Sequence, residues 1–319
     1  MRRSLIFAVL GLALALPARS QQMADPNFKT GVEHPAYVGK HPRVVIDEAH
    51  HNFHTADGRY KPFADLLRGD GYEVVPGTKA FTPGSLSGVN VLVIANAVGA
   101  QSSDDASSPA FTDAESAVVR DWVRGGGSLL LIADHTPFGA AAAAMARRFG
   151  VTLGLGFVFD ANHSEGNPTL LVFSRENGLL GEHSLLHGRG ADEEVKRVIA
   201  FTGESLSLPE GAVALLKLGP EAQESPNREA LNKELGMAPS SPAATPPSRS
   251  VGGRVQGLAM TFGRGRVAMF GEAAMFSAQI IRYREEGQQH ELQMGMNVPG
   301  TDDRQLLLNV MHWLSGLLP

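Results

Sequence analysis

Short, nearly continuous apolar runs alternate with amphipathic stretches along most of this chain. Arg43–Asp47 (RVVID), Val89–Ala95 (VNVLVIA) and Leu129–Ala133 (LLLIA) have the pattern of strands buried on both faces of a parallel sheet. Each run gives way to polar residues: it ends on Asp47, or is followed by Asn96 or by Asp134 and His135. Between the first two, Tyr60–Asp70 carries Phe63, Leu66 and Leu67 at helical spacing, stops at Gly71 and is followed by a strand at Tyr72–Val75. Thr112 with Glu115 three residues on predicts a capping box for a helix to Arg124, which Gly125–Gly127 ends. After Leu129–Ala133, Thr136 reads as a helix N-cap and Pro137 as the first helical residue before Gly139–Arg148. Strand and helix alternate, so an α/β fold with a mainly parallel sheet is expected, with helices on both faces. In such sheets ligands gather beyond the carboxyl ends of the strands, here around Asp134.

Beyond residue 150 the periodicity predicts strands at Val151–Phe159, Thr169–Phe173 and Ala212–Leu218, and a short helix with a strand across Glu193–Thr202. Leu258–Phe262 and Arg266–Phe270 read as a hairpin about Gly263-Arg264-Gly265. Ala273–Ile281 reads as a helix, and Gln305–Leu318 as a closing helix with Leu306, Leu307, Val310, Trp313 and Leu314 on one face. Residues 42–319 are therefore expected to form one domain. Gln21–His41 is read as an extended leader, and Pro220–Gly253, rich in Pro, Ser and Ala, as a mobile insertion outside the core.

Composition changes this picture at three points. Met1–Ser20 joins Arg2 and Arg3, the apolar stretch Leu5–Leu16 and the small residues before Gln21, which predicts a Sec-type signal peptide and a periplasmic or secreted protein with no membrane span after cleavage. A net charge of −5 offers no basic field for nucleic acid. The 319 residues include no cysteine, which excludes disulfides, thiolate metal sites and a cysteine nucleophile.

Two segments resemble the class I glutamine-amidotransferase-like superfamily, in particular its extracytoplasmic branches related to trehalose-utilisation and gliding-motility proteins. Trp122–Gly127 followed by Ser128–His135 is similar to that family's helix, glycine run and strand leading to the nucleophile turn; Arg266–Glu272 and Asp303–Leu317 are similar to its terminal strand and closing helix. The resemblance implies a flavodoxin-like, three-layer α/β/α sandwich with a pocket over Asp47, Asn96, Asp134 and Glu272. Ala133-Asp134 stands where amidotransferases carry their cysteine, so glutamine hydrolysis by a thiolate is excluded.

The candidate chemistry follows. Asp134 and His135 can act as base and partner, as metal ligands or as groups orienting a sugar or anion; alternatively Asp134 caps a helix while His135 packs at the turn. Glu272 follows a strand and a glycine, and with Asp134 would supply two carboxylates for acid/base work, or else it holds the N–H groups of the next turn. Asp47, Glu48, His51, Asn52, His54, Arg59 and Asn96 are candidate ligand-binding residues. His51, His54, Asp134 and His135 together offer the donor types of zinc or manganese, without a spaced motif, so metal and no metal both stay open. The leading expectation is an exported domain that binds a small polar ligand, such as a carbohydrate or cell-wall fragment. A metal-assisted or carboxylate-dependent hydrolase, and a module recognising an envelope protein through residues 220–253, are the alternatives.

Overall fold

The computed structural model of the chain describes residues 21–99, 108–237, 246–285 and 288–319. The segment read as a signal peptide lies outside the described residues. In chain order the elements are β1 (Gln21–Ala24), β2 (Arg43–Asp47), α1 (Lys61–Gly69), β3 (Glu73–Gly77), β4 (Val91–Ala95), α2 (Asp113–Arg124), β5 (Ser128–Ile132) and α3 (Phe138–Arg147). There follow β6 (Phe157–Phe159), β7 (Ser164–Glu165), β8 (Asn167–Ser174), α4 (Ser184–His187), β9 (Arg197–Phe201), β10 (Val213–Lys217), β11 (Gln223–Ser225) and α5 (Arg228–Glu234). The last are β12 (Arg249–Ser250), β13 (Val255–Phe262), β14 (Gly265–Phe270), β15 (Ala278–Glu285), β16 (Gln288–Gly295) and α6 (Asp303–Leu314).

The fold is α/β, built on a seven-stranded sheet in the order β10-β13-β14-β5-β4-β2-β3. Its β14, β5, β4, β2 and β3 run parallel, and the β13–β14 hairpin and β10 add the antiparallel edge. Continuous apolar runs suit these strands because both faces are buried. Leu129 and Leu131 of β5 join Val119 and Val123 of α2 and Met145 of α3 in one hydrophobic cluster. Leu130 and Ile132 join Phe63 and Leu66 of α1 and Leu307 and Val310 of α6 in another. The capping box of α2 forms as its spacing predicts: the Thr112 hydroxyl accepts from Glu115 N–H at 3.2 Å, and Glu115 accepts from Thr112 N–H at 2.9 Å.

Three expectations are corrected. Residues 273–281 are not a helix but a 3-10 turn, Ala274–Phe276, leading into β15, because β15 pairs with β1 on one side and β16 on the other. The extended leader begins as the strand β1, paired with β15. Thr136 does not cap α3; its hydroxyl donates to the Leu155 carbonyl at 2.5 Å, and Pro137 takes the cap position. The segment 220–253 is tied to the body: Ala222, Leu231 and Val251 are buried, and Glu224 accepts from Ser205 N–H at 2.9 Å. Residues 238–245 of that segment lie outside the described residues. Among the described residues no helix is long and apolar enough to cross a membrane.

Candidate functional site

A cavity of about 370 Å³ opens where β4 and β5 end. Asn96 and Asp134, the first polar residues past those strands, line it together with Glu272, which follows β14, and with His54 and His135. Its walls include Phe53, Phe138 and Phe201, and the small sheet β1-β15-β16 closes one side through Gln22, Gln279, Ile281 and Met294. The volume falls at the lower end of the roughly 300–1,000 Å³ of small-molecule sites, which also combine apolar walls with a few converging polar groups.

The polar groups are held by short bonds. Asp134 main-chain N–H donates to Asn96 Oδ1 at 2.9 Å, which holds the Asn96 side chain against the backbone of Asp134. The Asp134 carboxylate accepts His135 N–H on Oδ1 at 2.8 Å, and Oδ2 has no protein donor among the described residues. His135 donates from Nδ1 to the Thr136 carbonyl at 2.9 Å and stacks on Phe157 at 4.1 Å between ring centroids, so in the neutral ring Nε2 is left as an acceptor. Glu272 accepts from Ala274 N–H at 2.6 Å and Met275 N–H at 2.7 Å. Burial first, and then the charge of Asp134, hold the Glu272 carboxyl well above the usual carboxylate range, against the pull of those two N–H groups. His54 is buried between Phe53 and Tyr60, with Nδ1 lacking a partner; burial, aided by the Arg59 charge, pushes it down to about 3, so the ring is neutral at physiological pH.

Backbone strain concentrates here. Asn96 has φ 50°, Thr202 has φ 62° and Leu155, whose carbonyl holds Thr136, has φ 67°. Left-handed backbone costs a non-glycine residue on the order of 1–3 kcal/mol and is found preferentially at functional sites. Thr202 is β-branched and is held there by three bonds: its N–H to Thr169, its hydroxyl to Val158 and its carbonyl from Gln256.

The structure brings Asn96, His54, Asp134, His135 and Glu272 together and places the other candidates elsewhere. Asp47 is fully buried and accepts His50 Nδ1–H at 2.9 Å, while His50 Nε2 meets Glu115 at 3.0 Å. Glu48 accepts Ala56 N–H at 2.8 Å, and Asn52 donates to the Ala95 carbonyl at 3.4 Å. His51 is exposed at φ 52°. Arg59 lies over the outer wall, its guanidinium 3.7 Å from the centroid of Phe53. The zinc or manganese set His51, His54, Asp134 and His135 is not assembled: among the described residues no three His, Asp or Glu side chains gather to hold an ion, and His51 stands outside the cavity.

The sequence reading missed Glu204. Gly203-Glu204 comes one residue, Thr202, after β9, Gly271-Glu272 directly after β14, and the two dipeptides pack together: Glu204 N–H donates to Gly271 O at 2.7 Å. The signal was a second glycine-carboxylate pair after an apolar strand, hidden by the polar residues around it. A methyl group on Gly139 would stand 2.2 Å from Glu204 Oε2, inside its carboxyl. Gly139→Ala is therefore expected to destabilise the fold by about 1–3 kcal/mol through overpacking, read as a lower urea midpoint. An unchanged midpoint would show that the turn yields freely.

No protein-family model matches the chain, and no curated protein matches it at a significant level. Among solved structures, the mmIFT52 N-terminal domain superimposes with a TM-score of 0.57 at 14% identity, covering 86% of this chain and 97% of that one. A thua-like protein from Bacteroides uniformis gives 0.44 at 16% identity, over 88% of this chain and 95% of that one. The exo-beta-1,4-mannosidase Op5Man5 from Opitutaceae bacterium strain TAV5 gives 0.36 at 15% identity, over 73% of this chain and 31% of that one. The first of these likenesses is one of fold, shared across nearly the whole of the mmIFT52 domain.

Proposed function

We propose that this chain is an exported, amidotransferase-like domain of the three-layer, flavodoxin-like kind, without amidotransferase activity, that binds a small polyhydroxylated ligand, a carbohydrate or cell-wall fragment, above Asp134. One observation carries the reading. Asp134 Oδ2 lacks a protein donor and Asn96 Nδ2 lacks a protein acceptor among the described residues, and the 2.9 Å bond between Asp134 N–H and Asn96 Oδ1 keeps the two neighbours. A hydroxyl group both donates and accepts, so it can satisfy the carboxylate and the amide at once. Phe138 and Phe201 supply apolar faces for the C–H side of a sugar ring.

Thermal unfolding against a panel of neutral mono- and disaccharides, amino sugars, sulfate and phosphate tests this. A ligand present at a hundred times its Kd adds about 2.7 kcal/mol to the native state, which for a domain of this size raises Tm by several degrees. At least one sugar should do so saturably. No shift with any sugar, or shifts with the anions alone, would reject the reading.

The raised Glu272 carboxyl beside Asp134 favours a second reading, a carboxylate-dependent hydrolase in which Glu272 donates the proton. Release of the aryl group from aryl glycosides, lost in both Asp134→Asn and Glu272→Gln, separates catalysis from binding.

A further inference from the structure

We propose that Glu204, buried against Gly139 at the start of α3, is a positioning residue that fixes the Asp134–Gly139 turn through Leu155 and Thr136. Its importance for ligand binding rests on the function proposed above; the positioning itself does not.

The side chain is completely buried, yet its Oε1 has no hydrogen-bond partner. Its Oε2 accepts Leu155 N–H at 2.8 Å. The carbonyl of the same Leu155 accepts the Thr136 hydroxyl at 2.5 Å, so the strained residue at φ 67° is gripped on both sides, by Glu204 below and by the turn above. Glu204 also occupies the space beside Gly139 that a side chain would need, which seats the first turn of α3 directly on the carboxyl. Thr136 lies two residues after Asp134, and Phe138 N–H closes the turn onto His135 O at 3.1 Å. The path from Glu204 to the ligand-facing carboxylate is thus a chain of bonds and one steric contact. Burial, followed by the charges of Glu224 and Asp134, holds the Glu204 carboxyl well above the usual range, against the Leu155 N–H bond and the Arg254 charge. A neutral acid at this place keeps the Oε2 acceptor without setting a second full charge behind Asp134.

Because His135 N–H donates to Asp134 Oδ1, its hydrogen exchange reports directly on whether that carboxylate is in place. Exchange is measured on the full chain without ligand, so a failed sugar panel leaves this test standing. Glu204→Gln keeps the carbonyl acceptor and the volume, and should leave the His135 and Phe138 amides protected as in the parent chain. Glu204→Ala should lower the protection of both by about tenfold or more, the loss expected for one buried hydrogen bond. Thr136→Val cuts the link above Leu155 without touching the buried acid and should expose the same two amides, which keeps the proposal testable if Glu204→Ala does not fold. Glu204→Gln exposing these amides, or Thr136→Val leaving them fully protected, would overturn it.

Discussion

Replacing Asp134 with asparagine is expected to weaken sugar binding by about 10- to 100-fold, the loss of a charge-assisted hydrogen bond of roughly 1.5–3 kcal/mol, while the protein stays folded. The variant amide can turn its oxygen to His135 N–H and keep the 2.8 Å bond of the parent. What changes is the other atom. A second N–H donor would then stand beside Asn96 Nδ2, and a hydroxyl has one proton to give and no negative partner to receive it. The substitution also relieves a conflict, because the Asp134 charge is among the causes that raise both Glu272 and Glu204. Stability should therefore stay level or rise as affinity falls, the trade-off of a site that gathers like charges for a ligand. Titration calorimetry with the best sugar of the panel, and Tm without ligand, read the two effects. Affinity within threefold of the parent would remove Asp134 from the binding site.

The parallel core was legible because burial on both faces writes itself into consecutive residues: Leu129–Ala133 and Val91–Ala95 need no partner to be recognised. The α2 capping box is equally local, since both partners lie within four residues. From the ends of β4, β5 and β14 the place of Asn96, Asp134 and Glu272 followed. Residues 273–281 failed for the opposite reason. Ala273, Ala274 and Met275 favour a helix, but Gln279–Arg282 pairs with Gln21–Ala24, more than 250 positions away, and no local pattern carries that pairing. The histidine cluster failed likewise. One segment supplies a structural His50, an exposed His51 and a cavity-lining His54, and only the packing of Phe81, Phe111 and Tyr60 against these rings sorts them.

Asp47 shows most clearly how a candidate ligand-binding carboxylate can be a structural one. With Asp47 on one ring nitrogen and Glu115 on the other, His50 is a buried imidazole between two acids, at 6% side-chain exposure, pinning the end of β2 to the start of α2. Burial opposes its charge, but the hydrogen bonds and charges of Asp47 and Glu115 outweigh this and raise its pKa above the ordinary 6.5. Glu115 is lowered below 4.5: burial opposes this, and the bonds from His50 and Thr112 overcome it. The signs fix the pH dependence. A group raised in the folded state adds stability that is full below its ordinary pKa and fades as pH climbs through the folded one; a lowered carboxyl adds stability above its ordinary pKa that fades toward acid. The network therefore stabilises most between about pH 4.5 and 6.5, and its histidine share disappears on the alkaline side. Asp47→Ala, which leaves the buried imidazole with one acid, is expected to cost about 3–5 kcal/mol near pH 6 without changing sugar affinity per folded molecule. His50→Gln should cost less and flatten the parent's loss of stability from about pH 6 to 8. Urea unfolding midpoints of the three proteins across that range decide it: parallel curves for parent and His50→Gln would mean that the imidazole is neutral throughout and that the pin is only a hydrogen bond.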